Sequence, residues 1–141
     1  MSKVLIKWTD GLRFLASTPS GHAVVMDTKR EVGGFETAPS PMELLLVALG
    51  GCTSMDVISI LHKMREEIRD YRLEIEAERA SEHPKYYTKI NLKYIFYGKN
   101  LKEENIRKAI ELSQNKYCSV SANLSGKSQI TYSYEIVEVQ E

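Results

Sequence analysis

The stretch that most constrains this chain runs from Ser40 to Val57, Ser40-Pro41-Met42-Glu43 followed by an apolar run that carries Cys52. Ser40 is placed as a helix N-cap, Pro41 takes the first helical position, and Glu43 falls three residues after the cap, which is the pattern of a capping box. Apolar residues then fill consecutive positions instead of one stripe, so this helix is expected to be covered on most of its circumference. From Leu44 to Met55 there is no charge, and Glu43 and Asp56 bracket the run. At fewer than the roughly 18 residues of a membrane span, it reads as a buried core helix. Beyond Gly50-Gly51 the spacing Met55, Ile58, Leu61, Met64, Ile68 becomes helical, with His62, Lys63, Arg65, Glu66 and Glu67 on a wet face.

Strands flank this helix. Val4 to Trp8, Arg13 to Ala16 and His22 to Met26 are separated by the turn signals Asp10-Gly11 and Pro19-Ser20-Gly21, which predicts an antiparallel N-terminal sheet. Asp27 to Pro39 loses its apolar period, contains Gly33-Gly34, and reads as a long, functional loop. Arg72 to Arg79 and Lys89 to Phe96 alternate strictly around a turn at Glu82-His83-Pro84-Lys85. Their pairing is expected to set Ile75 opposite Leu92 and Glu78 opposite Lys89. A second helix is predicted to start at Asn100 with Glu103 as its capping partner, burying Ile106, Ala109, Ile110 and Ser113. A short third helix over Ser119–Leu124 follows, with Cys118 at its N-terminal edge, and Ile130 to Ile136 forms the last strand. The order gives an α+β fold with antiparallel sheets, one domain over residues 1–141.

Nineteen basic and nineteen acidic residues cancel, so no global field draws nucleic acid or an anionic membrane. The N-terminus lacks a signal-peptide pattern, and a cytoplasmic location is expected. Cys52 and Cys118 are the two cysteines, with no C-x-x-C pair. They make neither a zinc framework nor a disulfide-rich scaffold, and no metal or cofactor is expected.

Chemistry therefore rests on thiols. Cys52 is either a buried structural residue or a nucleophile; Gly50-Gly51 beside it opens space for close approach, whereas Asp56 one turn on opposes the thiolate. For Cys118, a helix N-terminus and Lys116 favour the thiolate. Two such thiols fit a peroxide-reducing pair, in which one is oxidised and the other condenses with it. His22, His62 and His83 are scattered and read as surface or turn residues, and the tyrosines mostly as strand packing. Leu49 and Met55 line an apolar pocket or simply pack the core.

Ser40-Pro41-Met42-Glu43-Leu44-Leu45-Leu46, then Gly51-Cys52, then Tyr117-Cys118-Ser119-Val120-Ser121-Ala122-Asn123-Leu124 resembles the OsmC/Ohr family of osmotically inducible and organic-hydroperoxide resistance proteins. The resemblance implies an OsmC-like fold in an intertwined homodimer, and a thiol-dependent peroxidase acting on organic hydroperoxides. By position Cys52 resembles the peroxidatic cysteine and Cys118 the resolving one, with an external dithiol as reductant. Glu43 matches a glutamate that orients an arginine toward the peroxidatic sulfur; Arg30 is the nearest candidate and Arg13 the second. The remaining alternatives are a non-enzymatic stress or small-ligand protein and a thiol–disulfide exchange protein.

Helix geometry adds one constraint. Nine residues of straight helix rise about 13 Å and turn two and a half times, which points Glu43 and Cys52 to opposite faces. Either the helix breaks at Gly50-Gly51 or Glu43 serves the cysteine of a second subunit.

Overall fold

The computed structural model describes residues 1–140, which fall into two compact units, Met1–Val47 and the residues from Ala48 onward. In the first, β1 (Leu5–Asp10), β2 (Arg13–Ser17) and β3 (Ala23–Met26) form an antiparallel sheet in that order. The predicted turns close it, with Trp8 opposite Phe14 and Leu15 opposite Val25. The segment after β3, expected to be an irregular functional loop, is organised by one buried carboxylate. Asp27 accepts the backbone N–H groups of Thr28, Phe35 and Thr37 and the Thr37 hydroxyl. Burial works to raise its pKa, but these four donors outweigh it and hold the carboxyl well below the usual range. Arg30–Val32 is a single 3-10 turn within that loop.

Helix α1 spans Pro41–Lys63 without interruption, so Gly50-Gly51 does not break it. At 23 residues it is longer than its charge-free stretch, and it is long and apolar enough to cross a membrane. Its packing is that of a helix on a sheet: Leu49, Gly50, Thr53, Val57 and Leu61 are buried, and the Ser54 and Tyr71 hydroxyls meet at 2.8 Å. The expected cover around most of the helix is not supplied by this chain. Val47 is 64% and Met55 76% exposed, leaving an apolar face open to water.

The second unit holds a mixed sheet, with β5 (Tyr87–Gly98) between β4 (Ile68–Arg79) and β6 (Gln129–Glu138). The register is the expected one, with Ile75 opposite Leu92 and Glu78 opposite Lys89. As the central strand, β5 buries Ile90, Leu92, Tyr94 and Phe96 completely, and these alternate residues are the heart of the core. The pairing of β6 with β5 is parallel, unlike the antiparallel arrangement expected throughout. A crossover containing two helices carries the chain back to the starting end of β5, and parallel pairing needs a connection of that length.

Those helices are α2 (Glu103–Leu112) and α3 (Ser119–Leu124). The predicted start of α2 at Asn100 is corrected: its N-cap is Lys102, and no side chain caps it. Asn100 has φ 54, and its N–H is held by the Glu138 carboxylate on β6 at 2.9 Å, which draws it into the end of the sheet. The predicted buried edge stands, since Ile106, Ala109, Ile110 and Ser113 are fully buried. Between α2 and α3 the helix widens into a π turn over Ser113–Tyr117, closed by the Cys118 N–H donating to the Ser113 carbonyl at 2.7 Å. Such turns re-aim side chains and recur at functional sites.

Candidate active site

The α1 helix and the π turn bring three reactive groups together. The sulfurs of Cys52 and Cys118 and a carboxylate oxygen of Asp56 all lie within 4.8 Å of one another. Cys52 and Asp56 are one helical turn apart on α1 and share a face. Cys118 reaches them from the N-cap of α3, where its sulfur accepts the Ser121 N–H at 3.4 Å. Both thiols are free; Cys52 is half-buried, whereas Cys118 is 3% exposed.

The two thiols are not electrostatic equals. Burial pushes the Cys118 thiol up to about 11, against the single favourable N–H from Ser121, and its hydrogen bond to Cys52 and the charges of Cys52 and Asp56 act in the same direction as burial. The expectation that a helix N-terminus and Lys116 would make Cys118 a ready thiolate is therefore overturned. One N–H does not offset desolvation, and the Lys116 ammonium sits over the Tyr117 ring, 5.2 Å from its centroid. Cys118 is held as a protonated thiol beside a more accessible sulfur.

A chain of hydroxyls fixes the carboxylate. The Ser113 hydroxyl donates to Asp56 Oδ2 at 3.0 Å, so its oxygen is left to accept from Thr53, 2.7 Å away. With its own proton directed to Ser113, Thr53 accepts from the Tyr94 hydroxyl at 2.7 Å and from Gln114 Nε2 at 3.1 Å. Gln114 also donates to Tyr94 at 3.0 Å and accepts from the Ser121 hydroxyl at 3.0 Å. Burial holds the Tyr94 phenol up at about 12, against its hydrogen bonds to Thr53 and Gln114, so it stays a donor. Every proton in this chain points one way, toward Asp56. Fully satisfied buried networks of this kind hold their members in one geometry.

Glu43 and Arg30 lie in the N-terminal unit, each with its own partner. Glu43 accepts the Ser40 N–H at 2.9 Å while its own N–H donates to Ser40 Oγ at 3.3 Å, the reciprocal capping box the sequence predicts. The Ser40 backbone N–H, then its hydroxyl, lowers the Glu43 pKa. The exposed Arg30 pairs with Glu36 at 3.5 Å, and Arg13 pairs with Asp10 and stands over the Phe35 ring, 4.9 Å from its centroid. Leu49 is fully buried core, which removes it as a pocket residue. Met55 lines an open hollow of about 560 Å³ with Ser54, Ile58, Ser59 and His62.

Sequence reasoning found both thiols but missed the hydroxyl network. Its available signal was polar residues at buried positions: Thr53 within the apolar helix, and Ser113 in line with Ile106, Ala109 and Ile110. Gln114, within the π turn, and Ser121, on α3, carried no such signal.

A mixed sheet carries a long helix with two thiols meeting beside it, and the sequence places this arrangement in a known family. The family model for OsmC-like proteins matches residues 34–133, and this chain belongs to that family. It is 43% identical over 132 residues to protein YhfA of Escherichia coli K12, covering 94% of this chain and 96% of the relative. A hypothetical protein from Aquifex aeolicus VF5 is 31% identical, with a TM-score of 0.86 over 99% of this chain and 98% of the other. The organic hydroperoxide resistance protein OhrB of Bacillus subtilis shares the fold at 14% identity, with a TM-score of 0.63 over 96% of this chain and 98% of OhrB.

Proposed function

We propose that this chain is a thiol-dependent peroxidase reducing organic hydroperoxides to alcohols, a single OsmC-like cytoplasmic domain working as a homodimer. The observation that carries the reading is the pairing of a half-exposed Cys52 with a buried, protonated Cys118 whose sulfurs lie within 4.8 Å. That asymmetry divides the roles. The Cys52 thiolate attacks one peroxide oxygen, the O–O bond breaks, and the leaving alkoxide takes a proton to become the alcohol, leaving a Cys52 sulfenic acid. Cys118 sulfur then attacks the oxidised sulfur; its proton leaves with the hydroxide as water, and a Cys52–Cys118 disulfide forms. An external dithiol returns both thiols by two exchange steps.

The unbroken α1 supports assigning Glu43, and through it Arg30, to the thiol of a second copy. Proteins that share this fold include ones named for organic hydroperoxide resistance, OhrB among them. A second reading, a small apolar-ligand protein without turnover, draws on the open hollow around Met55 and Ile58.

Turnover of cumene hydroperoxide with a dithiol tests the choice. The peroxidase reading expects turnover in the native protein, its loss in Cys52→Ser, and a persistent sulfenic acid in Cys118→Ser. One equivalent of peroxide is expected to give the Cys52–Cys118 disulfide by mass spectrometry. Unchanged free thiols after peroxide treatment would leave the ligand-binding reading.

A further inference from the structure

We propose that Cys52, Asp56 and Cys118 form a binding site for a thiophilic divalent cation, of which Zn2+ is the best match. The inference does not rest on peroxidase turnover, because it concerns the reduced chain alone. Its first support is geometric. All three ligand atoms lie within 4.8 Å of one another. Around a tetrahedral zinc, with bonds of about 2.3 Å to sulfur and 2.0–2.2 Å to oxygen, ligand atoms stand about 3.5–3.8 Å apart. No pair needs to close by more than about an ångström, which side-chain rotation supplies.

The chemistry of the donor set agrees. Two thiolates with a carboxylate suit zinc over the hard cations, which prefer all-oxygen shells. Cys52 and Asp56 are only half-buried, which leaves the fourth position to a water or an added ligand. Second partners hold two of the three ligands: Ser113 donates to Asp56 Oδ2 at 3.0 Å, and the Ser121 N–H donates to Cys118 sulfur at 3.4 Å. Outer contacts of this type orient ligands in metal sites.

Asp56 is otherwise hard to account for. An anion beside a peroxidatic sulfur opposes the thiolate, whereas beside two thiolates it supplies the third ligand of a dication, and the occupied site carries one net negative charge. On binding, each thiol proton is replaced by the metal and leaves to solvent.

The test is titration of the fully reduced protein with Zn2+ by calorimetry, and with Co2+ by thiolate-to-cobalt charge-transfer absorption. One ion per chain is expected, with a Kd of about 1 µM or tighter. Asp56→Asn, which keeps the shape and a hydrogen-bond acceptor for Ser113, is expected to weaken binding about 100-fold. Cys118→Ser is expected to halve the cobalt–thiolate absorption. Peroxide turnover measured separately on the metal-free protein tells a failure here from a failure of the peroxidase reading. Binding that is absent, or equally tight in Asp56→Asn and native protein when both melt cooperatively, would overturn the site.

Discussion

Cys118 is the residue at which burial decides the chemistry. Its folded thiol is raised from the ordinary 9.0 to about 11 by desolvation first, while in the unfolded chain it returns to the ordinary value. Between those two pH values the folded chain keeps a proton that the unfolded chain has lost, so stability falls as pH rises. The contribution is at full value below about pH 9 and is lost toward pH 11. Urea unfolding at fixed pH values across that window is expected to show the native midpoint declining toward that of Cys118→Ala. Groups remote from the thiol are common to both proteins and drop out of the gap between them; a constant gap would show that burial does not shift it. The sequence made both cysteines visible, but not this ordering of them. Residue type and neighbours along the chain suggested an acidic Cys118, whereas its surroundings come from Cys52 and Asp56, far away in sequence.

At the scale of elements, what was legible is what local pattern controls. Strict alternation placed Ile75 opposite Leu92, and the Cys118–Leu124 pattern placed α3, because inward and outward faces leave one workable pairing. Non-local partners hid the rest. Asn100 resembles an N-cap until Glu138 holds its N–H, and alternation alone does not give β6 its direction. The contact of α1 with β4 is likewise invisible from either element alone. A Cβ on Gly50 would stand 2.8 Å from Ile75 Cδ1, the far end of a flexible side chain. Gly50→Ala gains about 0.5–1 kcal/mol of helix preference but loses it to this clash. Ile75→Val removes the offending methyl. The double mutant Gly50→Ala/Ile75→Val is expected to be more stable than the two single changes predict, by about 0.5 kcal/mol or more in urea denaturation. Strict additivity would mean that α1 and β4 do not meet at this point.

For the whole molecule, the unresolved quantity is the open side of α1. The sequence pattern required cover on nearly all sides, and the chain covers one, leaving Met55 76% and Val47 64% exposed along the same helix. Apolar surface that a sequence places and its own chain leaves bare is a candidate association face, and a second copy is the partner proposed for it, since the resemblance and the helix geometry both ask for one. A self-complementary contact places each substituted residue twice in one dimer, so its effect is doubled. Met55→Glu inserts a charge where the proposed contact is apolar and is expected to weaken dimerisation by about 2 kcal/mol or more. Sedimentation equilibrium should then show native protein as a dimer and Met55→Glu shifted to monomer, with Lys108→Glu on the outer face of α2 unchanged. Should Met55→Glu remain as dimeric as the native chain, this face of α1 is not the interface, and the assignment of Glu43 to a second copy's thiol loses its support.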